Sequence, residues 1–183
     1  FNPRGTDVSV IQDLMIHDLD IVFSLVQSPI INIDANGVAV ISDNIDIANA
    51  RLTFESGCVA NLTASRISLK KMRKMRIFQQ NAYISVDFGD NKSEVFRLVD
   101  SSDDTFKGIM TYPLTESKKL IYEQPEPESN DINPIKDELE SFFDSIINNK
   151  PVKVTLEDAS RAVEASDKII DIISESLKKI RKN

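Results

Sequence analysis

From Val8 to Val26 apolar residues fall on nearly every side of a helix: Val8, Val10, Ile11, Leu14, Met15, Ile16, Leu19, Ile21, Val22, Phe23, Leu25 and Val26. Thr6 and Asp7 are suitable N-caps for this run, and Ser28-Pro29 ends it near Gln27. The period then changes to two. Val38 and Val40 alternate with small residues, and Ala48, Ala50, Leu52 and Phe54 alternate with polar ones. Ser56-Gly57 turns the chain into a run from Cys58 to Ser65. Further strands are predicted at Met72 to Gln79, Ala82 to Phe88, Glu94 to Val99 and Lys119 to Glu123. Asn81 and Gly89-Asp90-Asn91 supply turns between them.

Two acidic stretches, Asp100 to Asp104 and Gln124 to Asp131, read as exposed loops, and the second leads into a helical tail. Ile135, Leu139, Phe142, Phe143, Ile146 and Ile147 have helical spacing, stopped by Asn148-Asn149-Lys150-Pro151. Thr155 with Asp158 three residues on resembles a capping box. It opens a last amphipathic helix through Ala162, Ala165, Ile169, Ile170, Ile173 and Leu177, which ends in a basic tail. One helix, six to eight strands joined by short turns, and two more helices predict an α+β fold. Its expected form is a mainly antiparallel open sheet with helices packed on one face.

A chain of 183 residues can bury a sizeable core as one domain, expected here as a single α+β unit over 1–183. The net charge of −7 argues against a nucleic-acid partner, which would need a basic face. No apolar run approaches about 18 residues, so no membrane span is expected. One cysteine, Cys58, excludes an intrachain disulfide framework and a thiolate-rich zinc site and suggests a reducing, cytoplasmic setting. Phe1 leads almost at once into the first helix, which is the look of a fragment of a longer protein. No strand runs through a glycine-rich turn into a helix, so no dinucleotide or phosphate loop is present.

The candidate chemistry sits in Asp13-Leu14-Met15-Ile16-His17-Asp18-Leu19-Asp20, which holds the one histidine of the chain. At about 100° per residue, Asp13, His17 and Asp20 share one helical stripe roughly 60° wide. A helix apolar on most sides is normally buried, so these groups are either satisfied inside a core or face a cleft. Histidine titrates near neutral pH, and a carboxylate one turn away can orient its ring, which suits a general acid/base. The spacing also allows a structural His–Asp pair or a three-ligand metal site. No second His or Cys cluster supports a metal, so no metal is expected. The basic run Lys70-Lys71-Met72-Arg73-Lys74-Met75-Arg76 either meets phosphates or is an edge strand guarded by charge.

Asp13, His17 and Asp20 in their setting resemble the D-x3-H-x2-D helix of the Gfo/Idh/MocA oxidoreductase family. Further similarities follow in chain order. Ala50 to Gly57 resembles a family strand that ends in an acidic-x-Gly turn. Cys58 to Ser68 resembles the next strand, with Ser65-Arg66 where that strand nears the active-site cleft. Met75 to Phe78 followed by Ala82-Tyr83-Ile84 resembles the hairpin after it, and Asp137 to Phe142 and Leu156 to Ala159 resemble the two closing helices.

The resemblance implies the C-terminal substrate and oligomerisation domain of an NAD(P)-dependent oxidoreductase acting on a sugar, nucleotide sugar or polyol hydroxyl. NAD or NADP would be bound mainly by an N-terminal Rossmann domain that this chain lacks. It implies that His17 is the catalytic acid/base, that Asp13 orients His17 or binds substrate, and that Asp20 and Arg66 bind substrate. Partners would be the sugar or nucleotide sugar, the chain's own Rossmann domain, and further copies through the exposed sheet face. The family's Glu-Lys-Pro motif is not in this chain, so the chain alone is expected to be inactive. The alternative is a non-catalytic oligomerisation and assembly module whose His–Asp stripe is structural.

Overall fold

The computed structural model describes residues 7–69, 72–127 and 133–180. It is α+β with antiparallel strand pairing throughout, as the turn-linked strands predict. The strands divide between a three-stranded and a five-stranded sheet. The chain forms two compact units, one from the residues up to Ser68 together with those from Leu139 on, the other from Leu69 to Glu138.

In the first unit, a π-helical turn at Ile11–Met15 runs directly into α1 (Ile16–Leu25). The start differs from the expected caps: the Gln12 N–H donates to Ser9 Oγ at 3.3 Å, while Asp7 lies in a turn and Thr6 lies outside the described residues. Strand β1 (Ile30–Val38) begins straight after Pro29, and Val40 lies beyond it in a loop. It pairs with β2 (Ile47–Phe54), which pairs with β3 (Val59–Ser65). The β2–β3 turn needs Gly57, whose φ of +84° is left-handed.

Alternation makes this sheet two-faced. Ala35, Ala48, Ala50, Leu52, Phe54, Leu62 and Ala64 are buried, while Asn49, Arg51, Asn61 and Thr63 are exposed. The polar face carries cross-strand hydrogen bonds, Arg51 to Asn61 at 2.9 Å and Thr63 to Asn49 at 2.8 Å. The last helix, α3 (Leu156–Ile180), with Ala162, Ala165, Ile169 and Ile173 buried, packs against β1 and against α1, whose Leu19, Val22 and Phe23 are buried, Phe23 edge-on to Phe54 of β2 at 6.4 Å. Small residues let helix and sheet approach closely. A Cβ on Gly37 would stand 2.8 Å from Ile45 Cγ2 and 3.1 Å from Ile173 Cδ1. Arg161 of α3 locks the arrangement, donating to the Ser28 carbonyl at 2.6 Å and lying 4.4 Å from the centre of the Phe23 ring. The capping box forms as predicted, with Asp158 Oδ2 accepting from Thr155 Oγ1 at 2.7 Å and the Asp158 N–H donating to Thr155 Oγ1 at 3.1 Å.

The second unit holds β4 (Lys74–Phe78), β5 (Ala82–Asp87), β6 (Lys92–Asp100), β7 (Met110–Pro113) and β8 (Lys118–Glu123), in the spatial order β4-β5-β6-β8-β7. Strand β7 has no apolar alternation and is exposed throughout, so pattern alone does not find it. One face buries Ala82, Val95, Val99 and Ile121. The other carries a row of rings, Phe78, Tyr83, Phe96 and Tyr122, with successive centroids 5.0, 5.6 and 5.0 Å apart. Phe78 at the edge is 77% exposed.

Helix α2 (Pro134–Ile147) spans the boundary between the units. Its apolar stripe has the predicted spacing, yet none of its residues is buried. Asn149, at φ +50°, closes it in the left-handed conformation common at helix C-termini. No helix of the described residues is long and apolar enough to cross a membrane.

Leu52 is fully enclosed between sheet and helices. Leu52→Ala is expected to cost about 2–5 kcal/mol through lost burial and the cavity left behind, read as a lower urea midpoint at unchanged slope.

Candidate functional site

The first helical stretch, the end of β1, the start of β2 and the end of β3 meet at one corner of the first unit. The Val10 N–H donates to the Ile45 carbonyl at 2.8 Å, Asp46 N–H to Val38 at 2.9 Å, and Arg66 N–H to Asp46 at 3.0 Å. These bonds tie the helix start to the loop from Ala39 to Asp46, and that loop to the residue that follows β3.

Asp46 is the centre of the corner. Its side chain is fully enclosed, and Oδ2 accepts the N–H groups of Val40 at 2.7 Å, Ile41 at 2.8 Å and Ser42 at 3.0 Å. Oδ1 accepts the Ser42 hydroxyl at 2.8 Å. Burial by itself would raise the Asp46 pKa, but these converging donors outweigh it and hold the carboxyl well below the usual carboxylate range. Oδ1 also pairs with Arg66 NH1 at 3.3 Å. Arg66 NH2 donates to the Val8 carbonyl at 2.8 Å and stands 3.6 Å from Asp13 Oδ2. The Arg66 side chain is 4% exposed, and its Nε has no partner among the described residues.

The structure therefore brings Asp13 and Arg66 together and adds Asp46 to them. Asp13 is 36% exposed and lies on the π-helical turn, which the Ile16 N–H closes by donating to the Ile11 carbonyl five residues back. Such turns are rare and recur at functional sites. His17, one turn on, is exposed, and Asp20 is half-buried. Ile11, Met15, Leu19 and Phe23, four residues apart, form the buried side of this stretch. The helix is thus not enclosed all round, as its composition suggests: Leu14, next to the His17 stripe, is 42% exposed. The stripe faces outward from an apolar-flanked surface.

Asp46 was out of reach of sequence reasoning. Its one local signal is a carboxylate at the end of Ser42-Asp43-Asn44-Ile45-Asp46, just before an alternating strand. The basic run is only partly described: Lys70 and Lys71 lie outside the described residues, Lys74 pairs with Asp87 at 2.7 Å, and Arg73 lies 5.1 Å from the centre of the Phe88 ring. It occupies and precedes β4, an edge strand. Among the described residues no cluster of three or more His, Cys, Asp or Glu side chains could hold a metal.

The GFO/IDH/MocA C-terminal domain family model matches residues 1–85. The chain is 34% identical over 152 residues to a UDP-N-acetylglucosamine 3-dehydrogenase of Acidithiobacillus ferrooxidans, a match that covers 83% of this chain and 44% of that protein. The solved structure of the enzyme of that name from the same organism superposes with a TM-score of 0.79 at 31% identity, over 94% of this chain and 51% of its own. A levoglucosan dehydrogenase in complex with NADH and L-sorbose shares the fold at TM-score 0.68 and 16% identity, over 91% of this chain and 48% of its own. The chain spans about half the length of the relatives it matches.

Because the folded-state pKa of Asp46 is lowered, its contribution to stability is complete above the ordinary carboxylate pKa of about 4 and is lost as the pH falls below that. In urea titrations at successive pH values, Asp46→Asn is expected to be destabilised at neutral pH and to show a shallower acid decline than the unaltered chain.

Proposed function

Since the chain belongs to the Gfo/Idh/MocA family as a domain of its C-terminal type, we propose that it is the substrate-binding and catalytic half of an NAD(P)-dependent oxidoreductase acting on a sugar hydroxyl. The observation that carries this reading is the placement of the stripe. His17 is exposed one turn from Asp13, and Asp13 is anchored by a buried guanidinium. A histidine satisfied inside a core would be neither exposed nor set beside unburied apolar side chains.

In this reading His17 takes the proton from the substrate hydroxyl during oxidation, or returns it during reduction. Asp13 accepts a hydrogen bond from the ring or from a neighbouring substrate hydroxyl, and Asp20 extends the polar edge of the same face. Arg66 acts on the substrate through Asp13, since its terminal nitrogens already have protein partners. A nicotinamide nucleotide, when bound, supplies the hydride acceptor or donor. The described residues do not fit it as its main site: none of the antiparallel strands leads through a glycine turn into a helix that could cradle a pyrophosphate. That role falls to a Rossmann domain elsewhere in the longer protein, which would close over the His17 face and make residues 1–183 one functional half. The similarity to a UDP-N-acetylglucosamine dehydrogenase favours a nucleotide sugar among the candidate substrates.

Assembly into a homo-oligomer through the five-stranded sheet belongs to the same proposal. It is favoured by the ring row Phe78, Tyr83, Phe96 and Tyr122 on one face of that sheet.

In the full-length protein, His17→Asn is expected to lower kcat by on the order of a hundredfold or more with cofactor affinity unchanged. Unaltered turnover of the sugar by a folded variant would instead favour the assembly module. Phe78→Glu places a charge at the edge of the ring row. Sedimentation is expected to show smaller assemblies, with the far-ultraviolet dichroism of the chain retained.

A further inference from the structure

We propose that Asp46 is a positioning residue for the proton-transfer face: by holding Arg66, it fixes both the place of the Asp13 carboxylate and how much of its charge is left for a ligand. The inference rests on the reading of His17 and Asp13 as the reacting groups.

Asp13 is a short, partly exposed side chain whose one ion pair among the described residues is with Arg66, at 3.6 Å. Arg66 is a long side chain that would not by itself hold a fixed place. Its position comes from three anchors. NH1 meets Asp46 at 3.3 Å, NH2 meets the Val8 carbonyl at 2.8 Å, and its backbone N–H meets the Asp46 carbonyl at 3.0 Å. Asp46 is rigid in turn, because three consecutive backbone N–H groups and one hydroxyl converge on its carboxylate. Geometry thus passes from the loop 40–42 through Asp46 and Arg66 to the turn that carries Asp13.

The charges follow the same path. One guanidinium is shared between two carboxylates, and its closer contact is with the enclosed one. Asp46 therefore takes up most of the Arg66 charge, and Asp13 keeps its own for an imidazole or a substrate hydroxyl. Without the Asp46 charge, Arg66 would close on Asp13 as a tighter pair, turning that carboxylate away from ligand and neutralising it. A misplacement of about 1 Å at a reacting group can cost about a hundredfold in rate.

The test is a double-mutant cycle in the full-length protein with a UDP-sugar as substrate, reading kcat, KM and cofactor affinity for Asp46→Asn, Asp13→Asn and the pair, with His17→Asn as reference. Asp46→Asn is expected to lower kcat by about a hundredfold with cofactor affinity unchanged, and to cause no further loss once Asp13 is already Asn. Arg66→Lys is the second variant, for use where Asp46→Asn does not fold. A single ammonium cannot serve Asp46, Val8 and Asp13 together, so the same loss and the same non-additivity are expected. An unchanged kcat, or a loss that multiplies with that of Asp13→Asn, would overturn the positioning role while leaving the catalytic reading intact. Full turnover by His17→Asn would overturn the catalytic reading and this inference with it.

Discussion

The Asp46 carboxylate, enclosed and bound by four converging donors, is the constraint on which the corner of the first unit depends. A buried charge is costly unless it is paired and fully hydrogen-bonded, and here both conditions are met. Its side chain orders the loop after β1, its backbone receives the chain that leaves β3, and its pairing with Arg66 reaches the first helical turn. Three segments distant in sequence are thereby joined through one residue. The helix that carries the candidate catalytic groups has its start fixed to the sheet by the same loop, through the bond from Val10 to Ile45.

The packing behind this corner explains why the polar cluster can be so specific. Ala35, Gly37, Ala48 and Ala50 keep the sheet surface shallow, so that α3 lies close to it and little space remains for rearrangement. The charged groups then sit at the rim of a dense core: Asp46 fully inside, Arg66 almost so, Asp13 partly open and His17 outside. Such a gradient from fixed interior charge to accessible titratable group is what an acid/base site needs, since the reacting groups must be both placed and reachable.

The outward surfaces fit a domain that works with others. Phe78 at the edge of the ring row, the unburied apolar stripe of α2 and the exposed Leu14 beside His17 put large apolar side chains at the surface. The chain spans about half the length of the relatives it matches.

Local pattern determined much by itself. Period two in β2 marked its buried positions, Thr155 with Asp158 marked the start of α3, and the Asp13–His17 spacing marked the candidate chemistry, because each depends on residues within a few positions of one another. Among the described residues, the start of the first helix differs from the expected cap at Asp7 because Ser9 and the π-helical turn satisfy its first N–H groups. Strand β7 was hidden because it has no buried face to impose alternation. The partners of Asp13 were hidden for a different reason. Arg66 is 53 positions away in the chain and Asp46 another 20 back, and no local rule joins them. Only the antiparallel pairing of β2 with β3, and the return of the loop after β1 to the helix start, bring these charges within reach. The sequence decided which groups could react; the tertiary structure decided which of them are held, because a carboxylate takes up a distant guanidinium only once the sheet has set the two side by side.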